Sequence, residues 1–373
     1  MKITLRLALI LPKYGVSIHD PCFAPLGFLY ISAMAKKLGH KVDFFNLNLY
    51  ELRGVAFKDY DAVLLTGGEE FIEFNKSMSE QARLQGVKTL IGGALATYRT
   101  EEMANIFDSV VVGEGEGALE AALSGKGIFR ADPLPISEIP WPDYEGFGIA
   151  EYHRRHPIRY MGVMTSRGCP FRCSFCVHVC SYRERPLADV FAEIDHYRTS
   201  YGIELLVVND NTLNVRKDRF MAFCDGMKGR GLAWSAAIRT DRFDEDMARA
   251  AKDSGANYFV VGVESFSQKR LDKMGKRSTV TDNVRTLDLL EKYGIAYHGN
   301  LILGFDWDEQ GHIDNELSAC PKQYRVFPVL LQPFIGIKAK PGIFGAERDM
   351  WSDRFRTYAE GSGMNVYPEA EAN

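Results

Sequence analysis

Apolar residues in the first third of the chain come in short bursts, and a stretch with helical spacing follows most of them. Residues 3–11 form an apolar run closed by Pro12. Residues 25–38 (PLGFLYISAMAKKL) repeat apolar positions at intervals of three and four, with Pro25 at the start and Gly39 just past the end. That spacing predicts a helix. Further strands are predicted at 41–47, 61–66, 88–92 and 109–113, with a helix over 71–85 and a short one after Gly117. Strand–helix alternation builds a parallel sheet covered by helices. Residues 1–125 therefore read as one α/β, doubly wound, Rossmann-like domain, whose ligands would sit beyond the carboxyl ends of its strands.

Residues 126–160 interrupt the pattern. Pro133, Pro135, Pro140, Pro142 and Pro157 mark them as a linker, with Trp141, Tyr144 and Phe147 pinning it to a domain surface. Alternation resumes at Met161. Strands are expected at 161–166, 204–209, 232–238, 258–263, 297–303 and 326–332, with helices at 186–200, 216–229, 243–254 and 279–293. These are six βα units over 161–345, where an eight-stranded barrel would use roughly 250 residues. A short tail, 346–373, closes the chain.

Composition narrows the function. Hydrophobic residues make up 46%, charged residues 25%, and the net charge is −4, so no basic surface favours nucleic acid. No apolar run has membrane-spanning length. The N-terminal MKITLRLALILPKYG lacks a small-residue cleavage site and reads as a buried strand, not a signal peptide. A reducing, cytoplasmic setting is expected.

The chemistry concentrates in TSRGCPFRCSFC, residues 165–176, which spaces Cys169, Cys173 and Cys176 as C-x₃-C-x₂-C. Three thiolates on one short loop can hold three corners of a cubane iron–sulfur cluster and leave the fourth iron open. Zinc usually takes four closing ligands, often as two separated pairs. No second pair follows here, and Cys180 or His178 would have to complete such a site. A loop rich in Gly, Pro and Arg is also a poor fit to buried core thiols.

SRGCPFRCSFC resembles the radical S-adenosylmethionine (SAM) enzymes, in the branch that carries a cobalamin-binding-type domain ahead of the radical domain. The resemblance implies a partial (β/α)₆ barrel, a [4Fe–4S] cluster on Cys169, Cys173 and Cys176, and SAM chelated at the open iron. Reductive cleavage of SAM would then give a 5′-deoxyadenosyl radical. It also implies a small electron-donor protein such as flavodoxin or ferredoxin; charge and apolar run length already argue for neither nucleic acid nor membrane as partner. Asn209, Asp210 and Asn211 stand where the family binds the SAM ammonium; an Asx turn is the alternative. Arg239 would meet the SAM or substrate carboxylate, or else form an ion pair with Asp241 or Asp244. In GVES, Glu264 would accept from the ribose hydroxyls with Ser265 assisting, or Ser265 would cap a helix. Leu301, Leu303 and Gly304 would wall the adenine, with Phe175 beside it, or simply fill the barrel core.

In the first domain, PLGFLYISA, Gly92-Gly93-Ala94 with Thr97, and VVVGEGEGAL are similar to the cobalamin-binding domain of that branch. Glycines at strand ends let the backbone approach a large flat ligand. The candidate corrin-facing residues are Gly67, Glu69, Glu70, Gly92, Gly93, Ala94, Gly113, Glu114 and Cys22; Glu69, Glu70 and Cys22 are also readable as solvated loop residues. The Asp-x-His-x-x-Gly motif is absent, as in many members of the branch, and His19-Asp20 runs in the wrong order. The implied activity is cobalamin-dependent methylation of an unactivated carbon in a small-molecule or peptide substrate. The alternative is a cobalamin-free radical SAM enzyme that keeps the first domain only structurally. A non-catalytic iron–sulfur or zinc module is the reading from another class. Trp234, Tyr297, His298, Trp307 and Gln332 are candidate pocket residues.

Overall fold

The structure, a computed structural model, describes residues 3–13, 24–52, 56–156, 158–176, 180–308 and 310–331, with 310–314 and 330 by backbone alone. The chain divides into two compact units between Gly162 and Val163. Among the described residues no helix is long and apolar enough to cross a membrane.

The first unit holds six strands: β1 (Arg6–Leu11), β2 (Lys41–Asn46), β3 (Ala62–Leu65), β4 (Lys88–Ile91), β5 (Ser109–Val111) and β6 (Gly127–Phe129). They form one parallel sheet in the order β2-β1-β3-β4-β5-β6. Leu7 to Leu11 and Ala62 to Leu65 are buried throughout, as in strands covered by helices on both faces. The order reverses between β1 and β3, the topological switch point where such sheets bind ligands.

Strand β6 falls inside the stretch read as a linker. Its three residues lie ahead of the prolines and extend the sheet past β5. Past Pro142 the chain folds into two short helices, Tyr144–Phe147 and Ile149–Arg155. Asp143 caps the first of them by accepting from the Gly146 amide at 3.0 Å. Tyr144 and Phe147 are buried, and Asn46 donates to the Phe147 carbonyl at 3.1 Å. Phe147 packs edge-on against Phe44 of β2 and pins this segment back on its own sheet.

The remaining strands are β7 (Tyr160–Val163), β8 (Ser166–Arg167), β9 (Arg183–Glu184), β10 (Leu205–Val208), β11 (Ala233–Arg239), β12 (Ala256–Glu264), β13 (Ala296–Leu303) and β14 (Val326–Leu330). The large sheet runs β7-β10-β11-β12-β13-β14, each strand beside its predecessor. This single-direction winding is that of a partial βα barrel. Helices Leu187–Tyr201, Lys217–Met227, Glu245–Asp253 and Val280–Tyr293 separate the strands. Trp234, Ala236 and Ile238 of β11 are buried, while Ala233, Ser235 and Ala237 between them are half-buried. That two-residue period separates a helix-packed face from the opposite one. Trp234 lies in an aromatic core with Phe220, Phe223 and Phe259, and Tyr297 is 2% exposed. Both are packing residues and not pocket residues. Gln332 lies outside the described residues.

Candidate functional site

The cysteine loop leaves β7 through Thr165 and is closed at its base by a two-residue antiparallel ladder, Ser166 with Glu184 and Arg167 with Arg183. Gly168 opens the loop at φ +72, and a Cβ there would stand 2.6 Å from the Ser181 carbonyl oxygen. Only glycine fits that turn. Asp210, just past β10, fastens the base. One carboxylate oxygen accepts from the Thr165 amide (2.6 Å) and the Ser166 amide (3.0 Å), and the other from their two hydroxyls (2.5 and 2.7 Å). Arg185 donates to the Met164 carbonyl at 2.8 Å and pairs with the fully buried Glu193 at 2.6 Å. Arg219 donates to the Thr165 and Arg185 carbonyls, both at 2.8 Å.

Asp210 is therefore a fastener and not an open SAM contact, since the loop base already claims its acceptor sites. Burial pushes its pKa up, opposed by the hydrogen bonds it accepts. Its neighbour Asn209 is different. The Asn209 amide donates to Val163 at 2.8 Å, but its side-chain Oδ1 is buried without a hydrogen-bond partner among the described residues. A buried acceptor left unanswered is costly, and an ammonium donor would answer it.

Cys169 is half-buried, Cys173 buried and Cys176 exposed. The neighbouring Cys176 thiol, with the charges of Lys276 and Arg239, lowers the Cys173 pKa against its burial, while that of Cys176 is raised. Arg239, at the end of β11, places Nη1 3.5 Å from the Cys173 sulfur and Nε 2.9 Å from Asp241. Its guanidinium lies 3.8 Å from the centre of the Phe171 ring. The ion pair with Asp241 is present, and the cation also faces the cysteine loop.

Glu264 ends β12 with φ +64, a left-handed conformation uncommon outside glycine. The β12–β13 register shifts between Val261 and Glu264. Glu264 pairs at 2.7 Å with Lys276, and both side chains are buried. Ser265 is not open to a ribose. Its hydroxyl donates to Glu316 at 2.6 Å and accepts from the Ser267 amide at 3.0 Å. Phe175 packs against a cluster of Met274, Ile302, Phe305 and Leu331, and Trp307 stacks on Phe305 at 4.5 Å. Along β13, Leu301 and Leu303 belong to the same alternating set as buried Tyr297. Ile302, and neither leucine, is the strand residue beside Phe175. His298 accepts from or donates to Tyr258 at 2.5 Å, toward the amino ends of the strands.

At the carboxyl ends of the first unit's strands, Gly92, Gly93, Ala94 and Gly113 present backbone. Gly93 has φ +88, and a Cβ there would meet the Thr66 hydroxyl at 2.8 Å. The Thr97 hydroxyl donates to the Gly93 carbonyl (2.8 Å) and accepts from the Gly113 amide (3.0 Å), tying β4 to β5. Gly93 and Ala94 are exposed, while Gly67, Gly113 and Glu114 are half-buried. Glu69 is engaged by Arg99 at 3.0 Å, which also holds Glu102 at 3.1 Å. This charge is paired on the protein surface. His19, Asp20, Cys22 and His178 lie outside the described residues.

Sequence reasoning missed Lys276, Phe171 and Arg185 as parts of the site. The only local signal was Met274-Gly275-Lys276, where Gly275 at φ +65 turns the chain back. Ser174 donates to the Met274 carbonyl at 2.9 Å, bringing that turn against the cysteine loop. Among the described residues no three His, Cys, Asp or Glu side chains gather tightly enough to hold a single metal ion. A cube of four irons sets its corner ligands further apart than one ion does.

Residues 163–314 match the family model of the radical SAM superfamily, and residues 20–123 match the B12 binding domain. Bacteriochlorophyllide d C-12(1)-methyltransferase of Chlorobaculum tepidum is 27% identical, over 90% of this chain and 76% of that protein. The cobalamin-dependent radical SAM enzyme OxsB, solved with aqua-cobalamin and SAM, superposes with a TM-score of 0.72 at 16% identity, over 96% of this chain. This chain spans 56% of the length of OxsB. The radical SAM methyltransferase TsrM of Kitasatospora setae gives a TM-score of 0.67 at 16% identity, over 90% of this chain and 74% of TsrM.

Proposed function

We propose that this chain, a member of the radical SAM superfamily with a B12-binding domain ahead of its radical SAM domain, is a cobalamin-dependent C-methyltransferase. Its substrate would be an unactivated carbon of a small molecule or peptide. One arrangement carries this function. Three cysteines sit on a clasped loop at the carboxyl ends of a singly wound parallel sheet, beside the unanswered Asn209 Oδ1 and the buried Lys276–Glu264 pair. Cys169, Cys173 and Cys176 would hold three irons of a [4Fe–4S] cluster. Asn209 would accept from the SAM ammonium. Lys276 would turn from Glu264 to the SAM carboxylate and leave Glu264 to the ribose, while Phe175 and Ile302 flank the adenine. Gly67, Gly92, Gly93, Ala94, Gly113 and Glu114 would line the corrin.

When bound, these cofactors supply the electron that cleaves SAM, the hydrogen-abstracting species and the methyl carrier. The chain binds and orients them and keeps water out. A small electron-donor protein of flavodoxin or ferredoxin type would serve it. The methyltransferase identity of the Chlorobaculum relative and of TsrM supports this activity.

The test is anaerobic reconstitution with iron, sulfide and hydroxocobalamin, followed by desalting and joint quantification. About four irons per chain, one corrin, and 5′-deoxyadenosine after dithionite and SAM are expected. Corrin lost on desalting overturns the cobalamin half. Absence of 5′-deoxyadenosine from cluster-loaded protein overturns the whole.

A further inference from the structure

Arg239 lies at the end of β11, where the sequence suggests a partner for a SAM or substrate carboxylate. Its surroundings are already full. The residue is 4% exposed. Nε donates to Asp241 at 2.9 Å, Nη1 to the Cys173 sulfur at 3.5 Å, and Nη2 to the Lys276 carbonyl. Phe171 covers one face of the guanidinium. Its backbone is fixed as well. Asn214 accepts from the Arg239 amide at 2.9 Å and donates to the Arg239 carbonyl at 2.8 Å. Each guanidinium nitrogen is engaged inside the protein.

The three cysteines are served unequally. Thr212 Oγ1 stands 3.9 Å from Cys169, but its proton goes to the Asn211 carbonyl at 2.6 Å. Lys276, the other cation near Cys173, is answered by Glu264. Of the three cysteines, Cys173 is the one that receives a hydrogen bond, among the described residues, from a cation that cannot lose its proton.

We infer that Arg239 is a positioning residue that sets the reduction potential of the cluster through the Cys173 sulfur, with Asp241 trimming its charge. This rests on the cluster assignment proposed above. A one-electron reduction adds one negative charge to the cluster. A fixed cation and an N–H donor at a ligand sulfur stabilise that charge and raise the potential. The electron comes from an external one-electron donor such as dithionite, and no bond or proton changes at Arg239.

The experiment is a mediated redox titration of the reconstituted holoprotein, read by EPR without SAM, so that no lost carboxylate contact can move the midpoint. Arg239→Gln is expected to shift the midpoint to more negative potential at unchanged iron content. Asp241→Asn leaves the cation less neutralised and is expected to shift it the opposite way. A merely structural role would not reverse sign between the two. Unmoved midpoints, or shifts of the same sign, overturn the inference. Should Arg239→Gln fail to hold iron, Asp241→Asn decides, and an unchanged or lowered midpoint overturns it. A parent protein with no reducible cluster overturns the proposed function and this inference together, whereas a normal cluster with unresponsive variants overturns only the inference.

Discussion

Asp210→Ala is the most informative single change to the loop base. It removes the acceptor of the Thr165 and Ser166 amides, and these residues are 1% and 2% exposed. Each buried amide left unpaired costs about 1–3 kcal/mol, while the two hydroxyls can rotate to other acceptors. Relief of a buried carboxylate offsets part of this, leaving a net loss of about 3 kcal/mol. Asp210→Asn keeps one oxygen for both amides and offers its NH₂ to hydroxyls that can accept, so its loss is about 1 kcal/mol. The pH dependence has a definite sign. Burial raises the Asp210 pKa in the folded protein. Its stabilising contribution is therefore complete below the unfolded carboxylate value, near about 3.9, and falls as pH rises through the folded value. Asparagine does not titrate, so that variant should close on the parent between acidic and neutral pH. Urea unfolding followed by tryptophan fluorescence, with Trp234 and Trp307 in this unit, reads both effects. An alanine variant within about 0.5 kcal/mol of the parent, or no different from asparagine, would refute the role given to Asp210.

Gly168→Ala should abolish cluster retention, because the left-handed turn and the 2.6 Å approach to Ser181 both exclude a Cβ; iron bound per chain is the readout, and a full complement would contradict it. Lys276→Met should lower stability by about 3–5 kcal/mol by stranding a buried carboxylate, and adding Glu264→Gln should restore most of it; thermal unfolding that shows no rescue would count against the pair. Thr97→Val should weaken corrin retention after desalting by loosening the β4–β5 ends, with the visible spectrum as the measurement; unchanged retention would show that the tie is dispensable.

The alternation of strand and helix was legible because each strand is an apolar burst with its own boundary residues. The structure places β10 to β14 within a residue or two of the expected positions at most ends. Strand β6 was not legible, because three residues carry no period and prolines follow closely. The cysteine spacing was local and therefore readable. The partners of the other site residues were not. Asp210, Arg239 and Ser265 each carry ligand-like chemistry at a strand end, but what they do depends on residues far along the chain. Asp210 meets Thr165 and Ser166, Arg239 meets Cys173, and Ser265 meets Glu316. Lys276 stayed hidden for the same reason, since nothing in its local spacing says that Gly275 folds it toward Glu264. The period of two puts Trp234, Tyr297 and Leu303 in the buried alternating sets of their strands.

The fastening of the loop base by Asp210, Arg185 and Arg219 uses no sulfur. The base of the loop is therefore closed without metal. On the proposed assignment, iron would enter a loop whose stem is already formed, and loss of the metal would leave that stem in place.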